Sequence, residues 1–301
     1  MDGKRDLISY GAVGLLAVVW GSAFALTAVA LRGFGPVEVV TARAGLAALV
    51  LVAVAFATGQ GLPRAARDWA WCGLIGVTSL ALPFTLLTWA QLTVPSAVAA
   101  VLISSSPLFV LVLSRGLLGT PVGPRKWLGF LTGFAGLAVL IGPGVLGLAD
   151  APLIPQLACL GTAFCYALSS VLVRRMPELP PVQATAASQL TAALLLVPFG
   201  ATGLVASLHW GVPLAALAVL GLVQTGGAQL LRYWTVKRAG PVFMSAVGYL
   251  IPVWAGFLGV TLLDEPLTWR LGLGFALILA GLLFANARPE GQRRAASSSA
   301  G

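Results

Sequence analysis

Residues 89–137 read WAQLTVPSAVAAVLISSSPLFVLVLSRGLLGTPVGPRKWLGFLTGFAGL, and residues 234–282 read WTVKRAGPVFMSAVGYLIPVWAGFLGVTLLDEPLTWRLGLGFALILAGL. The second stretch matches the first at a displacement of 145 positions, without a gap. Trp89 falls on Trp234, Pro107 on Pro252, Leu117 on Leu262, Leu118 on Leu263 and Pro121 on Pro266. Arg125, Gly129, Phe130 and Gly136 fall on Arg270, Gly274, Phe275 and Gly281. Nearer the start, a displacement of 140 lays Gly21-Ser22-Ala23-Phe24 on Gly161-Thr162-Ala163-Phe164. Self-similarity at a fixed displacement marks a duplicated architecture.

What is duplicated is apolar. Of 301 residues, 58% are hydrophobic and 9% charged, and the mean hydropathy is +0.96. An ordinary soluble domain carries about 25% charged residues. So few charges cannot cover a water-exposed surface. Disorder, collagen and a disulfide-stapled secreted domain are excluded by the same numbers. Cys72, Cys159 and Cys165 sit singly in apolar runs, without metal or disulfide spacing. The runs are continuous and about twice the length of a barrel strand, so they predict helices. Ten are expected, at about 10–31, 36–57, 69–92, 95–115, 126–147, 152–173, 181–203, 211–236, 241–262 and 269–287. The fold class is therefore an all-α integral membrane protein.

Charge orients it. With the N-terminus inside, the inner segments hold Lys4, Arg5, Arg64, Arg67, Arg115, Arg125, Lys126, Arg174, Arg175, Lys237, Arg238, Arg288, Arg293 and Arg294. The outer loops hold only Arg32 and Arg270, and Arg43 and Arg232 fall within spans. That asymmetry predicts an even number of spans with both termini cytoplasmic. The net charge of +9 is spread over many loops, which argues against a nucleic-acid partner. The first span, with Lys4 and Arg5 before it, is expected to be retained, because a later segment repeats it.

Five spans per half is an odd number, so the second half enters the membrane upside down. The expected organisation is a first five-helix repeat at 1–147, a second, inverted repeat at 148–287, and a disordered cytoplasmic tail at 288–301. Inverted repeats recur in secondary transporters, whose sites lie near the midplane between the halves.

The chain resembles the drug/metabolite transporter superfamily, EamA type, over about residues 10–287. The resemblance rests on Trp20-Gly21-Ser22-Ala23-Phe24, on Pro36 and Arg43, and on the paired Pro107 and Pro252. It rests also on Leu262-Leu263-Asp264-Glu265-Pro266-Leu267-Thr268-Trp269, followed by Gly274 and Gly281. It implies a ten-helix carrier of small metabolites in the bacterial inner membrane, often an exporter. The family usually carries a Glu at this junction in both halves. Here Thr120 stands where the second half has Glu265.

Depth along each run gathers candidate substrate-lining residues: Trp20, Ser22, Ser79, Ser104, Ser105, Thr162, Tyr166, Gln224 and Tyr249. Backbone breaks accompany them at Pro83, Pro107, Gly226, Gly227 and Pro252, where freed carbonyls need new donors. Arg43 lies about 10 Å below the outer surface, and either gates the path, contacts a carboxylate, or bonds freed carbonyls or Gln189. Gln91, near an outer end, is expected to be wet. Gly129 and Gly133 form a GxxxG pattern expected to pack within the bundle. The protein is read as a monomer or weak homodimer.

None of the nine acids falls at mid-span. A proton-coupled exporter of cations needs one there. The expectation is an uncharged path for neutral or zwitterionic solutes such as amino acids, moved by alternating access without cofactor or metal. A carrier of phosphorylated or nucleotide-linked sugars would need a central basic cluster. A non-transporting scaffold would have a dry, packed midplane. Enzyme motifs such as His-Glu-x-x-His or a nucleotide-binding Gly-Lys-Ser/Thr loop do not occur in the sequence.

Overall fold

The computed structural model describes residues 7–119, 123–141, 152–208, 210–239, 244 and 247–286. Thr120, Pro121, His209 and the tail 288–301 lie outside the described residues, as does the side chain of Tyr249. Among those described, all regular structure is helical. The helices are α1 (Leu7–Ala30), α2 (Pro36–Ala57), α3 (Ala66–Ala90), α4 (Ser96–Leu118) and α5 (Pro124–Ile141). They continue with α6 (Leu153–Val173), α7 (Pro181–Ala206), α8 (Val212–Val219, Leu220–Gly227 and Ala228–Ala239 in succession), α9 (Val247–Leu263) and α10 (Trp269–Asn286). Seven, α1–α4 and α6–α8, are long and apolar enough to cross a membrane. The apolar stretches of α9 and α10, Leu250–Leu263 and Trp269–Gly281, are shorter.

These helices are apolar on all sides. Leu49, Phe56, Leu131, Leu194, Phe199 and Val205 are exposed, while Leu16, Leu51, Leu80, Leu102 and Leu220 are fully buried. Water would not tolerate that outer surface, and lipid does. Starts and stops follow local chemistry. Pro36 and Pro181 open α2 and α7, where a missing N–H costs nothing. Gly119 ends α4 in the left-handed region at φ 64°.

Small residues let the backbones approach. Along α2 and α7, Ala44, Ala48, Ala192 and Ala193 share one cluster. A Cβ on Gly200 would come within 2.8 Å of the Thr41 Cβ. The pair is antiparallel, since Thr41 donates to the Leu196 carbonyl near one end while Leu51 and Ala55 pack with Val182 and Ala186 near the other. α5 and α10 pack the same way. Gly136 lies against Gly274, and Gly281 against Gly129 and Gly133. The GxxxG face of α5 is thus spent inside the bundle.

α3 and α8 each contain a π-helical stretch, Val77–Ala81 and Leu220–Gly227. Displaced by 145, the first falls inside the second. Wider π turns leave carbonyls poorly matched to their own ladder, and π segments gather at functional sites. The two central prolines behave differently from each other. α4 breaks into two helices at Ser104–Ser105, just ahead of Pro107, whereas α9 runs on through Pro252. Pro107 is exposed and Pro252 buried.

Candidate functional site

The π stretches are where side chains from several helices meet. In α8, Thr225 turns its hydroxyl back to the Leu220 carbonyl at 2.9 Å. The Gln224 carbonyl receives the Trp20 indole N–H from α1 at 3.1 Å. In α3, Thr162 of α6 donates to the Pro83 carbonyl at 3.0 Å and to its own Ala158 at 3.1 Å. The α8 π stretch, and the α-helical turn just past the α3 π stretch, are thus each bonded by a side chain from the opposite half of the chain. Freed carbonyls find donors, as a lipid setting requires.

Arg43 joins this group from α2. It is 7% exposed. Its Nε–H donates to Thr225 Oγ1 at 2.7 Å, and its guanidinium carbon lies 4.1 Å from the centroid of the Phe84 ring of α3. The Tyr166 hydroxyl of α6 is within electrostatic range of it. Four helices from both halves, α2, α3, α6 and α8, thus converge on one cation. The expected bond to Gln189 is not the one formed. Gln189 sits in α7, and its buried Oε1 has no partner. Thr225 takes the bond from the α8 π stretch, which packs against α2 at Leu46 and Val50. Glu38 also does not reach Arg43: its carboxylate lies against Gly35 and Gly203.

The other expected lining residues are placed as follows. Ser22 is half-buried and accepts the Trp254 indole N–H at 2.9 Å, while donating to the Val18 carbonyl. Ser79 lies half-buried in the α3 π stretch. Ser104 and Ser105 donate to the Val101 and Leu102 carbonyls at 2.7 and 2.6 Å, so their hydroxyls serve the α4 break. Thr162 is fully buried. Gln224 is buried with its Oε1 lacking a donor. In the α8 π stretch a Cβ on Gly226 would sit 3.1 Å from that of Val50. Gly227 follows it, half-buried. A cavity of about 310 Å³ runs between α1 and α9, lined by Ser22, Leu26, Arg32 and Leu262 among others. A larger one of about 540 Å³ lies at the α2–α3 connection, beside Gln60, Arg64, Asp68 and Gln183.

Two contacts escaped the sequence reading. Gln91 is buried, not wet: its Nε2 donates to the Phe24 carbonyl at 3.0 Å, and its Oε1 is left without a partner. Glu265 reaches from the α9–α10 junction to the start of α4. There its carboxylate accepts from the Ser96 and Ala97 N–H groups at 2.6 and 3.1 Å. Those N–H groups have no partner inside their helix, and the helix dipole favours a negative charge at that end. Asp264 turns the chain toward this position with φ 53°. The signal was in the sequence, in the Asp-Glu-Pro junction, but its receiver is 169 residues away.

Comparison with known proteins decides the assignment. Residues 8–142 match the EamA-like transporter family, and residues 153–287 match it again. The chain belongs to the EamA-like transporter family. It is 29% identical to a protein of Streptantibioticus cattleyicolor named a probable terminal-alkyne amino-acid exporter, over 95% of this chain and 96% of that one. It is equally 29% identical to the uncharacterized inner membrane transporter YedA of Escherichia coli K12, over 93% and 92% of the two chains. A crystal structure of a protein with 24% identity shares the fold at a TM-score of 0.63, covering 91% of this chain and 95% of that chain. As an EamA-like protein, the molecule is a membrane transporter.

Proposed function

We propose that this EamA-like protein is an alternating-access secondary carrier, an exporter or facilitator, of small neutral or zwitterionic metabolites such as amino acids. In this reading ten spans form two five-helix halves of opposite orientation, with both termini cytoplasmic in a bacterial inner membrane. The observation that carries it is the pairing of α5 with α10. Gly129 and Gly136 are the sequence equivalents of Gly274 and Gly281, yet Gly136 meets Gly274 and Gly281 meets Gly129. A helix that lies antiparallel on its own copy is what a two-fold axis in the membrane plane produces. The solute path follows that axis, between Trp20, Ser79, Tyr166 and Gln224.

Energy coupling follows from where the acids lie. Glu38, Asp68, Glu178, Asp264 and Glu265 all stand at helix ends or junctions. Flux then runs down the solute gradient. The name of the Streptantibioticus relative supports amino acids as the solute class. The test is uptake of a labelled mixture of L-amino acids into proteoliposomes, with and without a pH gradient. Equal initial rates in both conditions are expected. Transport that stops without the pH gradient, together with uptake of a permanent organic cation, would contradict the reading.

A further inference from the structure

A cation held inside a membrane span is costly unless something answers its charge. Arg43 is such a cation, and its protein neighbours orient it without neutralising it. Thr225 has given its own proton to Leu220, which leaves an oxygen lone pair for the Arg43 Nε–H. The Phe84 face holds the guanidinium at 4.1 Å. No described residue accepts from either terminal nitrogen. No described carboxylate pairs with it either, since Glu38 is against Gly203 and Glu265 is held by Ser96 and Ala97. What remains is a planar edge of parallel N–H groups, the geometry that matches the two oxygens of a carboxylate.

We infer that the free edge of Arg43 binds the carboxylate of the transported solute, which makes the carried species zwitterionic α-amino acids. This rests on the carrier function proposed above and narrows its substrate class. The amino end has a matching feature. Gln224, the residue before Thr225, holds a buried Oε1 without a donor, and an ammonium group is a donor. The path is then uncharged only when occupied: a zwitterion supplies the anion that Arg43 lacks and carries no net charge itself. A phosphate monoester fits less well, because its second charge calls for a second cation. Arg232 does not serve, being exposed toward the far end of α8 and bonded to Gln229.

The test uses the purified full chain in lipid nanodiscs. Unfolding temperature is followed with each common L-amino acid, with the corresponding α-carboxamides, and with glycerol 3-phosphate. Wild type is expected to be stabilised by at least one amino acid and not by its carboxamide. Arg43→Gln should lose that shift and lower proteoliposome uptake at least about ten-fold. Its unfolding temperature without ligand should be equal to or above that of wild type, since a buried charge has been removed. A merely structural Arg43 would instead lower it. Arg43→Lys should keep part of the ligand shift. If Arg43→Gln does not fold, Thr225→Val decides: it keeps the charge, frees Nε, and should weaken binding several-fold. The inference is overturned if carboxamides stabilise as well as acids, if no amino acid stabilises wild type, if glycerol 3-phosphate is preferred, or if the variants bind like wild type. Uptake that persists unchanged in Arg43→Gln removes the inference and leaves the carrier reading standing. Carboxylate binding without any vesicle uptake does the reverse.

Discussion

The seam between α8 and α2 and the seam between α3 and α7 share one skeleton and differ in chemistry. In the first, a Cβ on Gly221 would meet Leu46; in the second, a Cβ on Gly76 would meet Thr191 and the Ser188 carbonyl. Gly76 and Leu46 displaced by 145 are Gly221 and Thr191, so the two contacts are copies. The polar groups are not copies. Arg43 has Ser188 as its equivalent, and Thr225 has Leu80. Ser188 hydrogen-bonds Cys72 and leaves no charge in that seam. The close approach recurs in both halves. The cation stands in one seam, where the other has Ser188.

The comparison can be broken at the skeleton first, where the largest effect is expected. Gly221→Ala and Gly76→Ala should each cost up to about 3 kcal/mol, seen as a lower unfolding temperature. Their rescue should differ. Leu46→Ala should recover part of the Gly221→Ala loss, because the obstruction is a side chain. Trimming Thr191 should leave most of the Gly76→Ala loss in place, because the Ser188 obstruction is backbone. Equal rescue in both seams would contradict this packing.

A smaller effect is expected where one half holds the other by a helix end. Glu265→Ala leaves the Ser96 and Ala97 N–H groups without their acceptor and should cost about 1–2 kcal/mol in the same measurement. Thermal unfolding indistinguishable from wild type would remove the role given to Glu265. Smaller again is Thr162→Val, which deletes the hydroxyl bonded to Pro83 and should cost about 1 kcal/mol. That loss would show that the α6 hydroxyl, and not α3 alone, supports α3 just past its π stretch.

Much of this was legible in the chain and some was not, for physical reasons. The 145-residue displacement announced the two copies, and four of the glycines it aligned, Gly129, Gly136, Gly274 and Gly281, lie where α5 and α10 approach closely. Pro83 and Gly226-Gly227 marked interrupted backbone, but not that the interruption would be π-helical: α8 has no proline there, and its π turn depends on donors from α1 and from Thr225 itself. Pro107 and Pro252 read alike and fold differently, because Ser104 and Ser105 are present to satisfy a break in α4, whereas the equivalents in α9 are Tyr249 and Leu250. The partners of Arg43 and Gln91 lie 182 and 67 residues away, on helices whose rotation no local pattern specifies.

The proposed carrier requires its two halves to enter the membrane in opposite orientations. Gly33 follows α1 and Glu178 follows α6, at equivalent positions 145 residues apart. Single cysteines placed there, in a chain freed of Cys72, Cys159 and Cys165, can be challenged on intact cells with a membrane-impermeant maleimide. Gly33→Cys should label at once, and Glu178→Cys only after the membrane is opened. Labelling of both from the same side would contradict the account.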